Sequence, residues 1–287
     1  MNNSDSIDNA TIDRPERRIS VNTGFSTIPG MPAVHCVFRE HLRLTDNSDS
    51  PRSPVILFSP LFEERKNSKR ALFRFIKTLT DAHHPVYSFD YPNASESFDD
   101  GSPFEIEKAV SASLILSKSI INISPNRNII FMGVRFGATI ASSIARVISE
   151  ADTTIVPELL LISPIVSGIN YARQIKQRRL VRRSISTGKS QSDSIGDSDY
   201  DGYVISDSTF SYISEIDIFR ELRELQSQSS LTWLNFGHKN ELDDSVKSAL
   251  SNVKCTVKSS SFRFPPFWDR IGDIDLTPLC DQLRLFL

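Results

Sequence analysis

Cysteine is scarce in this chain of 287 residues: Cys36, Cys255 and Cys280 are an odd, scattered set with no C-x-x-C pair. That excludes a disulfide scaffold and a thiolate metal site and fits a reducing compartment. Excess charge of either sign is missing too, with 33 Lys and Arg against 35 Asp and Glu and a formal charge of -2. The whole-molecule field therefore drives binding to neither nucleic acid nor membrane. Long hydrophobic runs are absent. The most apolar windows, 55–62 and 159–169, each contain Pro and fall short of the roughly 18 to 20 residues a bilayer requires. The opening Met1-Asn2-Asn3-Ser4-Asp5-Ser6 is polar, so no export signal is expected and the expected location is cytoplasmic. Histidine is limited to His35, His41, His83, His84 and His238, leaving none beyond residue 238.

What is present is ordinary globular material, 39% hydrophobic and 24% charged, enough for one large core. Residues 1–24 are polar and have little to bury, so a mobile tail is expected there, followed by one domain over 25–287. Short apolar runs alternate with amphipathic stretches. Strands are expected at 35–44, within an early hairpin, and at 54–60, 85–91, 128–132, 158–163, 230–236 and 253–257. Helices are expected at 68–82 (Leu72, Phe73, Phe75, Ile76, Leu79), at 103–121 on a face of Ile106, Val110, Leu114 and Ile120, at 138–149 and at 276–287. This alternation predicts an α/β fold, a mostly parallel sheet with helices on both faces. The stretch 181–208, rich in Ser, Gly and Asp, breaks the rhythm and is expected to be a flexible insertion.

The most informative turn is Gly133-Val134-Arg135-Phe136-Gly137, lying between the apolar run Ile129 to Met132 and the helix from Ala138. Strand, Gly-x-X-x-Gly turn and helix resemble the nucleophile elbow of α/β-hydrolases, where the central residue is Ser. Arg at that point stays protonated and offers no lone pair for attack. A general base after the last strand is missing as well. His238 instead follows the strand at 230–236, where this fold places the triad acid, and Glu241, Asp243 and Asp244 lie nearby. Ser-His-Asp catalysis is therefore not expected.

Further segments carry a narrower resemblance, spanning about 55–267: Ser59-Pro60-Leu61-Phe62-Glu63-Glu64 with Asn67-Ser68-Lys69-Arg70, Phe89-Asp90-Tyr91, Ser163-Pro164-Ile165-Val166-Ser167-Gly168, and Pro265-Pro266-Phe267-Trp268. Together with the Arg-centred elbow, these resemble the exosortase A system-associated (PEP-CTERM) hydrolase 2 subfamily of the α/β-hydrolase superfamily. The resemblance implies that Arg135 is inherited with the subfamily, and it implies a cell-envelope or exopolysaccharide role. The loop Tyr91-Pro92-Asn93-Ala94-Ser95 departs from that pattern, since the subfamily is expected to carry glycines there.

Three uses of Arg135 stay open. It closes an empty cleft by pairing with Glu63 or Glu64. Alternatively, Arg135, Phe136 and Gly137 at the helix start hold a small anionic or acyl ligand, with Glu63 and Glu64 beside it. In the third, Glu63, Glu64 or Asp90 activates a water for ester or thioester hydrolysis while Arg135 stabilises the oxyanion. The leading expectation is a hydrolase-like pseudoenzyme that binds a ligand or protein partner. Arg173, Lys176, Arg178, Arg179, Arg182, Arg183 and Lys189 form a cationic run that suits a solvated helix end, with at most peripheral membrane contact. No nucleic-acid module accompanies it. Phe262, Phe264, Phe267 and Trp268 are expected to pack the last loop on the core. His83-His84, lacking a third ligand, are expected at the surface, and neither metal nor cofactor is expected.

Overall fold

The computed structural model describes residues 18–42, 52–124, 126–186, 199–200, 203–269, 272 and 274–287. The chain runs through β1 (Arg18–Ser26), β2 (Val34–Leu42), β3 (Val55–Phe58), α1 (Phe62–Asn67), α2 (Lys69–Asp81), β4 (Val86–Phe89), α3 (Ile106–Ile123), β5 (Asn128–Val134), α4 (Phe136–Ala151), β6 (Val156–Ile162) and α5 (Gly168–Ser186). A ribbon of β7 (Asp199–Tyr200) and β8 (Tyr203–Val204) precedes α6 (Asp207–Ser214), α7 (Ile218–Arg223), β9 (Ser230–Gly237), α8 (Asp244–Leu250), β10 (Thr256–Arg263) and α9 (Thr277–Arg284). Eight strands form one sheet in the order β1-β2-β4-β3-β5-β6-β9-β10. Within it only β2 opposes its neighbours; all other pairings are parallel.

The period-two geometry of a strand explains why the apolar runs are unbroken. Ile56, Phe58, Ile129, Phe131, Leu159 and Leu161 face a core shared with α3, α4, α5, α6 and α7. Their neighbours Val55, Leu57, Ile130, Met132, Leu160 and Ile162 face a second core built on α2, α9 and the aromatic loop after β10. Each fully buried aliphatic or aromatic side chain of this kind contributes about 1.5 to 3 kcal/mol.

Several expectations are corrected. Residues 18–24 belong to β1 and pair with β2, so the tail reading fails there; residues 1–17 lie outside the described residues. The face buried by α3 includes the small residues Ala109, Ala112, Ser113 and Ser117, which admit close approach, with Ile106, Leu116 and Ile121 beside them, while Val110, Leu114 and Ile120 are only partly covered. Phe73 is exposed and lies beneath the Arg39 guanidinium. The last strand is Thr256–Arg263, later than expected, because an edge strand half in solvent tolerates the polar Lys258 to Ser261 run. Part of the expected insertion is ordered: α5 continues to Ser186, the Phe104 amide donates to the Val204 carbonyl, and Ser206 caps α6 by accepting from the Thr209 amide. Residues 187–198 and 201–202 lie outside the described residues. His84 is buried, bonded through Nδ1 to the Ser53 carbonyl oxygen, and burial pulls its pKa down.

The elbow between β5 and α4 is sterically tight. Arg135 has φ 56° and ψ -122°, a region that side-chain-bearing residues occupy at a cost of about 1 to 3 kcal/mol. The flanking glycines make the turn possible: a Cβ on Gly133 would lie 2.3 Å from the Ala138 Cα, and one on Gly137 would lie 2.2 Å from the Phe58 carbonyl oxygen. Gly137→Ala is therefore expected to destabilise the fold by about 3 kcal/mol, as overpacking against rigid backbone does. Urea denaturation measures this, and a loss under half that value contradicts the close approach of α4 to β3.

Candidate functional site

The turn lifts Arg135 above the sheet, where its guanidinium meets three elements. Nε donates to Glu64 Oε2 and an Nη to Glu64 Oε1, both at 3.2 Å, while the other Nη donates to the Ser163 carbonyl oxygen at 3.0 Å. One face stacks on the Trp268 ring at 4.3 Å from its centre. Side-chain exposure is 12% for Arg135 and 1% for Glu64, so the pair is screened little by solvent. A fork-to-fork contact of this kind fixes both groups in direction as well as distance.

Glu64 is held there by α1, which starts at Phe62 with φ 52° and buries Phe62, Glu63 and Glu64. Its Oε1 also accepts from Arg178 on α5 at 3.4 Å, and Arg178 pairs in turn with Asp269. Burial works against the Arg178 charge, but Glu64 and Asp269 outweigh it and hold its pKa above the usual guanidinium range. Tyr171 beneath them is fully buried, and that burial, with the Glu64 charge, raises its phenol far above the ordinary value. Ser163, at φ 43°, bridges to β9 through its hydroxyl, accepting from the Phe236 amide at 2.9 Å and donating to its carbonyl oxygen at 3.3 Å. Gly168 follows because a Cβ would lie 1.9 Å from the Ile213 carbonyl oxygen.

Above Arg135 lies a cleft of about 700 Å³ lined by Glu63, Asn67, Arg135, Gln174, Gln177, Arg178, Val181, Gly237, His238, Pro266, Trp268 and Asp269. No Ser, Thr or Cys occurs among these lining residues. The loop after β10, where the fold's general base is expected, presents Trp268 instead, with its carbonyl oxygen accepting from Asn67 Nδ2 at 3.1 Å. The aromatic cluster packs as anticipated, Phe267 against Phe75 and Phe262 and Phe264 against Phe236, but Trp268 has this second use. Unlike Glu63, Arg135 and His238, Phe136 and Gly137 do not line the cleft; Phe136 is buried against Tyr171, so any contribution from either is through backbone N–H. Glu241, Asp243 and Asp244 point to Lys247 and Lys239 and do not line it either.

Asp90 stands apart. It accepts from Arg65 at 2.9 Å and from the Glu96 amide at 3.3 Å, faces His35 Nδ1 at 3.4 Å, and does not line the cleft. Among the described side chains of the cationic run, Lys176 lies over Phe210, Arg179 over Tyr200 and Arg178 in the Glu64 cluster, while Arg173 is exposed. The side chains of Arg182, Arg183 and Lys189 lie outside the described residues. Among the described residues no group of His, Cys, Asp and Glu suits a metal ion, and no helix is long and apolar enough to cross a membrane.

No family model and no curated protein matches the sequence. Solved structures do match in shape. Est1E from Butyrivibrio proteoclasticus with bound ferulic acid is 12% identical with a TM-score of 0.62 over 92% of this chain and 97% of that one. The esterase Pf2001 of Pyrococcus furiosus is 13% identical with a TM-score of 0.59, covering 94% of this chain and 90% of that one. Mouse alpha/beta hydrolase domain-containing protein 10 is 11% identical with a TM-score of 0.54, covering 92% and 98%. At such identities the likeness is one of fold: the chain has the α/β-hydrolase fold.

Replacing Glu64 by Gln leaves two guanidinium groups facing a neutral amide. Breaking a buried pair in this way is expected to cost about 3 to 5 kcal/mol, measured by urea denaturation at neutral pH. A loss below 1 kcal/mol contradicts the pairing of Arg135 with Glu64.

Proposed function

We propose that this α/β-hydrolase-fold protein binds a ligand in the cleft over its elbow and does not hydrolyse it there. The observation that carries the reading is Arg135 itself, seated where the fold presents its nucleophile and locked between Glu64, Ser163 and Trp268. A permanently protonated guanidinium forms no acyl intermediate, and the Glu64 carboxylate holds it in place from within the protein. The remaining N–H groups of Arg135 and Arg178, with the side-chain amides of Gln174 and Gln177, then form the recognition surface for a small carboxylate, phosphate or acyl compound. Residue resemblance to the exosortase-associated hydrolases supports a cell-envelope or exopolysaccharide setting, with a protein partner as the other occupant of such a component.

One alternative keeps catalysis in the cleft. Glu63 lines it beside Arg135 and is mostly buried, so it is the carboxylate placed to activate a water, with Arg135 facing the oxyanion. Of the three carboxylates Glu63 is the one that lines the cleft, since neither Glu64 nor Asp90 does.

Two measurements separate these readings. A carboxylate or phosphate ligand at about 100 times its Kd is expected to raise the melting temperature of the wild type by about 5 °C, and the shift should vanish in the double variant Gln174→Ala/Gln177→Ala. Equal shifts in both proteins reject the recognition surface. Ester and thioester turnover is expected to be the same in Glu63→Gln as in the wild type, with no covalent fluorophosphonate adduct on any residue lining the cleft. Turnover abolished by Glu63→Gln overturns the non-hydrolytic reading in favour of the water mechanism.

A further inference from the structure

Away from the elbow, β1 stands at the edge of the sheet, and its register fixes which of its residues look toward α2. Val86 belongs to the core that α2 buries. It pairs with Arg39, which pairs in turn with Val21, and directly opposed residues share a face of a sheet. Alternation along the strands then places Ile19, Thr23 and Phe25 of β1, with His35 and Val37 of β2, on that same face. Ile19, Val21 and Phe25 are exposed there, Phe25 by 63%. Thr23 Oγ1 is engaged by His35 Nε2 at 2.8 Å. None of these residues is a carboxylate, so what the edge of the sheet offers on this side is apolar or basic.

The adjoining flank of α2 continues the surface. Phe73 is 54% exposed, and the Arg39 guanidinium lies 5.5 Å from the centre of its ring, so Val21, Arg39 and Phe73 form one row across β1, β2 and α2. On the helix, Lys69, Arg70 and Lys77 are the i-4, i-3 and i+4 neighbours of Phe73, and all three are exposed, as is Arg74. Acids on this side are fewer. Glu96 pairs with Lys69 and Asp81 with Lys77, Asp275 lines a groove with Arg70 and Arg74, and Asp90 is bound to Arg65. Between α2 and β2 runs a second groove of about 330 Å³, with Val37, Leu72 and Ile76 as apolar lining and Arg39 and Lys69 as cations. None of its lining residues is shared with the cleft over Arg135.

We propose that this face, from β1 across Phe73 to the cations of α2, docks on the surface of an anionic phospholipid bilayer. Exposed apolar side chains gathered on one face mark an interaction site, and the charge around them names the occupant: aromatic and aliphatic groups flanked by Lys and Arg match the boundary between acyl chains and anionic headgroups. Phe73, Val21, Ile19 and Phe25 enter that boundary, while Arg39, Lys69, Arg70 and Arg74 meet the phosphates. The attraction is local, since the whole chain carries a formal charge of -2. Docking here goes beyond the ligand-binding reading of the elbow and leaves the cleft over Arg135 open to solvent; the two stand or fall separately.

The test is flotation of the full chain with vesicles of phosphatidylcholine alone and of equimolar phosphatidylcholine and phosphatidylglycerol. Binding is expected on the mixed vesicles only, and to weaken as salt is raised. Lys69→Gln/Arg74→Gln is expected to weaken it about 30-fold, and Val21→Ser/Phe73→Ser at least about tenfold. All four positions are exposed, so unchanged melting temperatures show that the fold is intact. In Phe73→Trp, brominated acyl chains are expected to quench fluorescence beyond any quenching of the wild type, which reports insertion and not mere adsorption. Equal binding to both vesicle types, full binding by either double variant, or absence of that quenching overturns the proposal. So does a wild type that binds no vesicle, whether or not a duplex oligonucleotide binds in its place.

Discussion

A guanidinium carried up to the top of a sheet and closed over by an aromatic loop must be answered by a carboxylate, and in this protein the arrangement around the elbow depends on that demand. Removing an ion from water carries a penalty of several kcal/mol that close, well-aligned counter-charge and hydrogen bonds must offset. Glu64 supplies both at once to Arg135, and its second cation, Arg178, brings α5 into the same cluster. Because Glu64 belongs to a helix of only six residues, the charge pair also helps fix where that short segment sits before it hands over to α2.

Seen from this pair, the separate motifs of the sequence become parts of one construction. The Glu-Glu segment delivers the carboxylate, Asn67 reaches the Trp268 carbonyl oxygen, and Trp268 covers the guanidinium. The Ser163 segment gives a carbonyl oxygen to Arg135 while its hydroxyl ties β6 to β9. The Tyr91 hydroxyl donates to the Ser59 carbonyl oxygen at 2.8 Å, joining the loop after β4 to the loop after β3. These segments, far apart in the chain, answer to one another in space.

The central sheet was legible because buried parallel strands are unbroken apolar runs, and the elbow because two glycines bracket a residue that cannot adopt its backbone angles without them. The pairing of Arg135 with Glu64 was anticipated from charge alone, though Glu63 was an equal candidate; only the phase of α1 separates the two. Edge structure was hidden. β1 carries Arg18, Ser20, Asn22 and Thr23, a composition that resembles a tail, and half of β10 is Lys and Ser, with one side in solvent. Losing β1 also concealed the contact of Thr23 with His35, since no local spacing connects a residue assigned to a tail with an imidazole in a strand. The role of Trp268 was half visible, as packing but not as the lid of a cation.

The mutual dependence of Arg135 and Glu64 constrains how such a protein changes over generations. A substitution that placed a hydroxyl at the elbow would strand the Glu64 carboxylate in a nearly dry setting, with Trp268 still covering the position. Substitutions at Arg135 and Glu64 are therefore coupled: a change at either one is unfavourable until its counterpart changes with it.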